Sequence, residues 1–247
     1  MSEQKNPWVW ACNNGHLDAV EWLHANRHEE CTTNAMDCAA CNGHLEVVKW
    51  LHENRNEGFS TSAMNCAAYN GHLDVVKFLH ENYPSSKHNN QGGCTTMAMD
   101  FAARYGRLDI VKWLHANRHE GCTDYAMISA AYHGHLEVIQ WLHKHYPSSK
   151  HDGQGKFSTR TMAEAATNGH LDIVEWLHIN RREGCTTWAM DYAASFGHLD
   201  VVKFLHENYP SPKHDGQGGC TTEAMNGATI RGHLEVVKYL EEVVKKN

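Results

Sequence analysis

Cys38 and Cys41 form a Cys-Ala-Ala-Cys pair in a chain that carries 21 histidines, a combination that invites zinc or redox chemistry. A structural zinc site needs four ligands in tetrahedral array, commonly two such Cys pairs or one Cys pair with a His pair. Only one Cys-x-x-Cys pair is present here, and Cys66 stands in the Cys38 column one repeat further on. These cysteines therefore read as small apolar residues at variable helix positions. A metal- or redox-responsive protein is the lesser alternative. Most histidines belong to two regular columns. One follows glycine, as in Gly43-His44, and the other is His24, His52, His80, His115, His143, His178 and His206. Even spacing of this kind implies hydrogen bonds repeated between neighbours, and not a catalytic cluster. No Ser-His-Asp set, phosphate-cradling glycine loop or carboxylate pair stands apart from the pattern, so the reading is of a protein that is not an enzyme and needs no cofactor.

The pattern is an internal repeat. Gly-His occurs at Gly15, Gly43, Gly71, Gly134, Gly169, Gly197 and Gly232, with Gly106-Arg107 as an eighth copy, at intervals of 28, 28, 35, 28, 35, 28 and 35 residues. A period of about 20–50 residues signals a stacked array. The expectation is a single solenoid over residues 1–247, with repeats at about 5–32, 33–60, 61–95, 96–123, 124–158, 159–186, 187–221 and 222–247.

Each repeat splits into two helices. Thr33 and its equivalents Thr61, Thr96, Asp124, Thr159, Thr187 and Thr222 read as N-caps of the first helix. Ala35, Met36, Ala39 and Ala40 allow close approach of another helix, and Gly43 ends the segment in the left-handed conformation. The second helix starts at once, with an acid such as Glu46 where the helix dipole favours it. Leu45, Val47, Val48, Trp50 and Leu51 make it apolar around much of its circumference. The Trp50 column is aromatic throughout (Trp22, Trp50, Phe78, Trp113, Trp141, Trp176, Phe204, Tyr239) and reads as an internal aromatic ladder. Three connections, Tyr83 to Gly93, Tyr146 to Lys156 and Tyr209 to Gly219, are seven residues longer than the rest. Their turn signals at Asn90, Asp152 and Asp215 predict hairpin-like fingers that rim a binding surface.

A net charge of −7 argues against nucleic acid as the main partner. Cys31, Cys94, Cys122, Cys185 and Cys220 share one column with Phe59 and Phe157, which demands a greasy filler and predicts buried, reduced thiols in a cytoplasmic, or at least intracellular, protein. No stretch approaches the length of a membrane span, and the N-terminal residues lack the apolar run of a signal peptide, so no membrane partner is expected. The chain is expected to be a monomer.

The phrase A-A-x-x-G-H-L-[DE]-V-V-K-x-L, carried by Ala39-Ala40, Gly43-His44 and Val47-Val48 and their equivalents, closely resembles the ankyrin repeat. Asn6-Pro7-Trp8 is the nearest approach to the family's T-P-L phrase, which elsewhere reads x-A-M-D, so the histidine bond of T-P-L-H is not carried over. The resemblance covers about Lys5 to Asn247 and implies an all-α helix-turn-helix solenoid of about eight repeats, an L-shaped stack whose concave face binds other proteins.

Against that constant background one face varies. The columns that begin at Asn34, Cys38 and Cys41 are spaced by four and seven residues and so share a face of the first helix. In repeats four to seven this face carries Met97, Phe101, Arg104, Tyr125, Tyr132, Arg160, Trp188 and Tyr192, flanked by Tyr105, His133 and Phe196. Trp, Tyr and Arg are enriched where proteins bind proteins. The expected function is a non-catalytic scaffold or adaptor holding a partner protein on these residues. A structural spacer within a larger assembly is the alternative.

Overall fold

The computed structural model describes residues 6–27, 31–83, 93–146, 158–182, 184–209 and 222–246. The fold is all-α, with sixteen helices among the described residues. They fall into two compact units, Met1–Cys122 and Thr123–Asn247. The three long connections lie outside the described residues except at their ends, and so do the finger turns at Asn90, Asp152 and Asp215.

The N-terminal unit holds α1 (Pro7–Asn13), α2 (Leu17–Asn26), α3 (Thr33–Cys41), α4 (Leu45–Asn54), α5 (Thr61–Asn70), α6 (Leu73–Asn82), α7 (Thr96–Arg104) and α8 (Leu108–Asn117). The C-terminal unit holds α9 (Asp124–Tyr132), α10 (Leu136–His145), α11 (Thr159–Thr167), α12 (Leu171–Asn180), α13 (Thr187–Ser195), α14 (Leu199–Asn208), α15 (Thr222–Ile230) and α16 (Leu234–Lys246). Within each unit the odd-numbered helices pack on one another in one layer and each is backed by the even-numbered helix that follows. The odd-numbered layer is the tighter, because its contact stripe is alanine. Ala39, Ala40, Ala67, Ala68, Ala102 and Ala103 are all fully buried. No helix among the described residues is long and apolar enough to cross a membrane.

The N-caps sit one residue earlier than the sequence reading put them. Thr32, Ser60, Thr95, Thr123, Ser158 and Thr186 have extended backbones, while Thr33 and its equivalents are already helical. Ser60, Thr95 and Thr123 accept the N–H two residues on, which relieves one of the orphan donors of a helix start. At α1 the same task falls to Asn6, with Pro7 in the first turn.

The aromatic column is not an internal ladder. Trp22 is 55% exposed, and the rings of Trp50, Phe78, Trp113, Trp141, Trp176, Phe204 and Tyr239 are only half-buried. The core is formed instead by the Val-Val or Ile-Val pair and the leucine after the aromatic, such as Val75, Val76 and Leu79. Successive residues on a helix point about 100° apart, so with the leucine inward the preceding ring is turned toward the edge of the layer. There it meets the histidine of the preceding repeat, edge to face. Ring centroids are 5.2 Å apart for His24 and Trp50, 5.1 Å for His80 and Trp113, and 5.5 Å for His178 and Phe204.

The same histidines receive the residue that closes the next repeat. Where a short connection follows, this is arginine: Arg118 donates to His80 Nδ1 at 3.4 Å, and Arg181 to His143 Nδ1 at 3.3 Å. Where the connection is long it is tyrosine: Tyr209 Oη lies 2.9 Å from His178 Nδ1, and the Tyr83 ring lies 4.9 Å from that of His52. Arg55 and Arg118 are themselves held by Glu57 and Glu120 two residues on. In the other histidine column the bond goes to the backbone. His44 Nε2 donates to the Asn13 carbonyl at 3.1 Å, His170 to Tyr132 at 3.1 Å and His198 to Thr167 at 3.0 Å.

These junctions are expected to make the protein acid-sensitive. Burial lowers the pKa of His80, helped by the Arg118 guanidinium, and burial also lowers that of His72. The unfolded chain then takes up protons first as pH falls through the ordinary histidine value of about 6.5, so stability is lost from that point downward. Burial raises the pKa of Asp37, which has the opposite sign: its contribution is present below the ordinary carboxylate value and fades as pH rises through the raised one. The melting temperature is therefore expected to drop between pH 7.5 and 5.5. His80→Gln should flatten the slope, and an unchanged melting temperature over that range would contradict the assignment.

Candidate functional site

Cys38 and Cys41 are both half-buried near the two ends of one helical turn on α3. No group of three or more His, Cys, Asp or Glu side chains among the described residues could hold a metal ion. None of the described cysteines forms a disulfide. Cys31, Cys94, Cys122 and Cys185 are buried together with Phe59, in keeping with a packing column, while Phe157 and Cys220 lie outside the described residues. Burial pushes the thiols of Cys12, Cys122 and Cys185 up to about 12 and that of Cys66 to about 11, where the neighbouring Cys41 adds to the effect. Thiols held protonated are poor nucleophiles and poor metal ligands.

The variable face of the odd-numbered helices is exposed in both units. In the N-terminal unit Met97, Phe101 and Arg104 lie on α7 and Tyr105 caps its C-terminus. Met97 is exposed, and Phe101 and Tyr105 are half-buried because Tyr69 of α5 lies against both, with centroids 5.8 and 4.4 Å away. A hydrogen bond that Tyr69 donates to Tyr105 raises the pKa of Tyr69, and the Arg104 guanidinium lies 5.4 Å over the Tyr105 ring. Tyr69 was not among the predicted site residues. It stands in the right column, one repeat before the segment singled out.

In the C-terminal unit Tyr125 and Tyr132 lie exposed on α9, and the ring of the half-buried His133 that follows meets that of Tyr132 edge to face, with centroids 4.8 Å apart. Arg160 of α11, Trp188 and Tyr192 of α13 and Phe196, which caps the C-terminus of α13, come together around one groove. Its volume is about 490 Å³, and Thr159, Ala163, Glu164, Thr167 and Thr186 complete the lining. Trp188 is 65% exposed, Tyr192 47% and Phe196 44%, with the Trp188 and Tyr192 centroids 6.5 Å apart. Arg160 Nε donates to Glu164 Oε1 at 3.1 Å, one turn along α11. Arg231, which follows α15, places its guanidinium 4.1 Å over the Phe196 ring.

Ala163 and Arg231 stand outside the columns of the variable face, whereas Glu164 stands in the Cys38 column but outside the set of aromatic and cationic residues expected to bind. The signal for Ala163 lies in the column of Asp37, Asn65, Asp100, Ile128, Asp191 and Asn226, where it is the one truncated side chain. This column occupies the place of the histidine in T-P-L-H, and an acid performs a related task there. Asp37 accepts from the Ser60 backbone N–H at 2.9 Å and from its hydroxyl at 2.6 Å, and Asn65 exchanges two bonds with Thr95, each of 3.1 Å. Each such pair ties one repeat to the N-cap of the next.

Family models agree with this architecture. A model described as ankyrin repeats (3 copies) matches residues 8–92, 36–123 and 99–183, and one described as ankyrin repeats (many copies) matches 162–206. Together the matches run without a gap from residue 8 to residue 206 of 247. No curated protein matches the chain. With two-helix repeats joined through the glycine-histidine turn, and family matches over most of its length, the chain belongs to the ankyrin repeat family.

Proposed function

We infer that this protein is a non-catalytic adaptor that holds a partner protein on the exposed face of its odd-numbered helices. Ankyrin repeats are in general protein–protein interaction modules and typically non-catalytic. The observation that carries the reading is the groove between α11 and α13, where three aromatic rings stand exposed along one wall of a 490 Å³ recess. Exposed aromatic side chains do little for folding but anchor partners well, since they bury large areas at small entropic cost. Tyr125, Tyr132 and His133 on the α9 face, and Met97, Phe101, Arg104 and Tyr105 in the N-terminal unit, supply further contact surface in this reading. The net charge of −7 favours a protein over a nucleic-acid backbone as partner, and protonated buried thiols suit an intracellular setting.

The test is affinity capture with the wild type and with Trp188→Ala combined with Tyr192→Ala, followed by mass spectrometry. Each ring should contribute roughly 2 kcal/mol to a bound partner, so the double variant is expected to lose the partner while melting within a few degrees of wild type. Capture at undiminished yield would remove the groove from the interface. A wild type that retains no partner selectively would favour the spacer reading.

A further inference from the structure

The α11–α13 groove lies where the repeat places an alanine, Ala163, in the column that holds Asp37 and Asn65. Where Asp37 reaches across to Ser60, the equivalent Ala163 has no side chain to send toward the Thr186 N-cap, and both residues line the open space that remains. Its lining includes three aromatic rings, the Glu164 carboxylate and, beside that carboxylate, the Arg160 guanidinium. We propose that the groove receives a cationic side chain, arginine or lysine, from a basic segment of the partner; the proposal rests on the reading of this groove as a partner contact.

Aromatic faces carry negative potential and attract cations, most strongly where Trp and Tyr are present. The protein already satisfies one of these rings in this way, with Arg231 over Phe196, and repeats the pairing with Arg104 over Tyr105 in the other unit. Glu164 supplies the full negative charge. Its side chain is 23% exposed, whereas its present partner Arg160 is 70% exposed. Arg160 is a weak occupant. The pair runs base before acid along the helix, the poorer order, and a cation in the first turn opposes the helix dipole. An incoming guanidinium or ammonium can therefore replace Arg160 at Glu164 and gain the rings as well, while Arg160 turns to solvent. The chain as a whole, at −7, attracts a basic segment and repels an acidic one.

The probes are three short peptides identical except at the central residue, which is arginine, citrulline or glutamate. Citrulline keeps the shape of arginine without its charge. Each is titrated into ¹⁵N-labelled protein while the indole N–H signal of Trp188, assigned with Trp188→Phe, is followed. The arginine peptide is expected to shift that signal saturably at a concentration at least tenfold below that of the citrulline peptide. In Glu164→Gln the preference should vanish, while Glu46→Gln, which removes an exposed acid on α4, should leave it intact. Equal response to arginine and citrulline would overturn the cation assignment and leave the groove as an apolar contact. A stronger response to glutamate, or no response at Trp188 to any peptide, would also overturn it. Loss or retention of partner capture by the Trp188 and Tyr192 variant decides separately whether the groove is an interface.

Discussion

Leu79→Ala is expected to destabilise the N-terminal unit by about 2–5 kcal/mol, while Trp22→Ala shifts its stability by less than about 1 kcal/mol. Leu79 is fully buried on α6 beside Val75 and Val76, so its truncation removes apolar contact on every side and leaves a cavity that the alanine-packed layer is too close-set to fill. Trp22 is the larger residue and belongs to the more conspicuous column, yet 55% of its surface faces solvent. In a repeat array a defect in an inner repeat also weakens two interfaces at once. Urea titrations of the two variants, compared at constant m-value, separate the possibilities. Comparable losses would restore the aromatic column to the core.

The reason this had to be learned from the structure is geometric. The period located the helices and the turns because glycine at a fixed interval forces a left-handed residue there, and Gly15, Gly43 and Gly106 all adopt it, with φ of 71°, 75° and 68°. The burial of Cys31, Cys94, Cys122 and Cys185 was equally readable, since a column that accepts cysteine or phenylalanine tolerates only an apolar site. A helix that is apolar at Leu45, Val47, Val48, Trp50 and Leu51, however, does not reveal which part of its circumference faces the next helix. Packing of the odd-numbered layer decides that, and it selects valine and leucine. The N-cap was shifted for a similar reason: Thr32 and Thr33 are both competent, and only the backbone dihedral distinguishes them. The groove was harder still. Alanine at position 163 looks like one more core residue until its column is seen to hold side chains that bond to the following repeat. The Asn-Arg-x-Glu phrase of the short connections was available in Asn54-Arg55 and Asn117-Arg118, and its repetition opposite tyrosine in the long ones marks the junction residue.

Gly169→Ala is expected to cost about 2–3 kcal/mol, well above the penalty of its backbone conformation alone. Gly169 has φ of +74°, and an alanine held in the left-handed region costs about 1–2 kcal/mol. The remainder comes from the next repeat. A Cβ at this position would stand 2.5 Å from Nδ1 and 2.9 Å from Cγ of His198, whose ring lies directly on the glycine. The ring cannot step aside without stretching the bond from His198 Nε2 to the Thr167 carbonyl, now 3.0 Å, and a lost bond of this kind costs about 0.5–1.5 kcal/mol. Gly232 provides the control. Its φ is +77°, nearly the same, and an added Cβ there meets nothing within 4 Å, so Gly232→Ala should show the backbone cost alone. Chemical denaturation of both variants measures the difference, and a double-mutant cycle with His198→Ala assigns it, because the ring-dependent share must disappear when the ring is absent. If Gly169→Ala and Gly232→Ala lose the same amount, or if the His198→Ala background leaves the gap unchanged, the glycine column serves its turn alone and the histidines do not hold one repeat to the next.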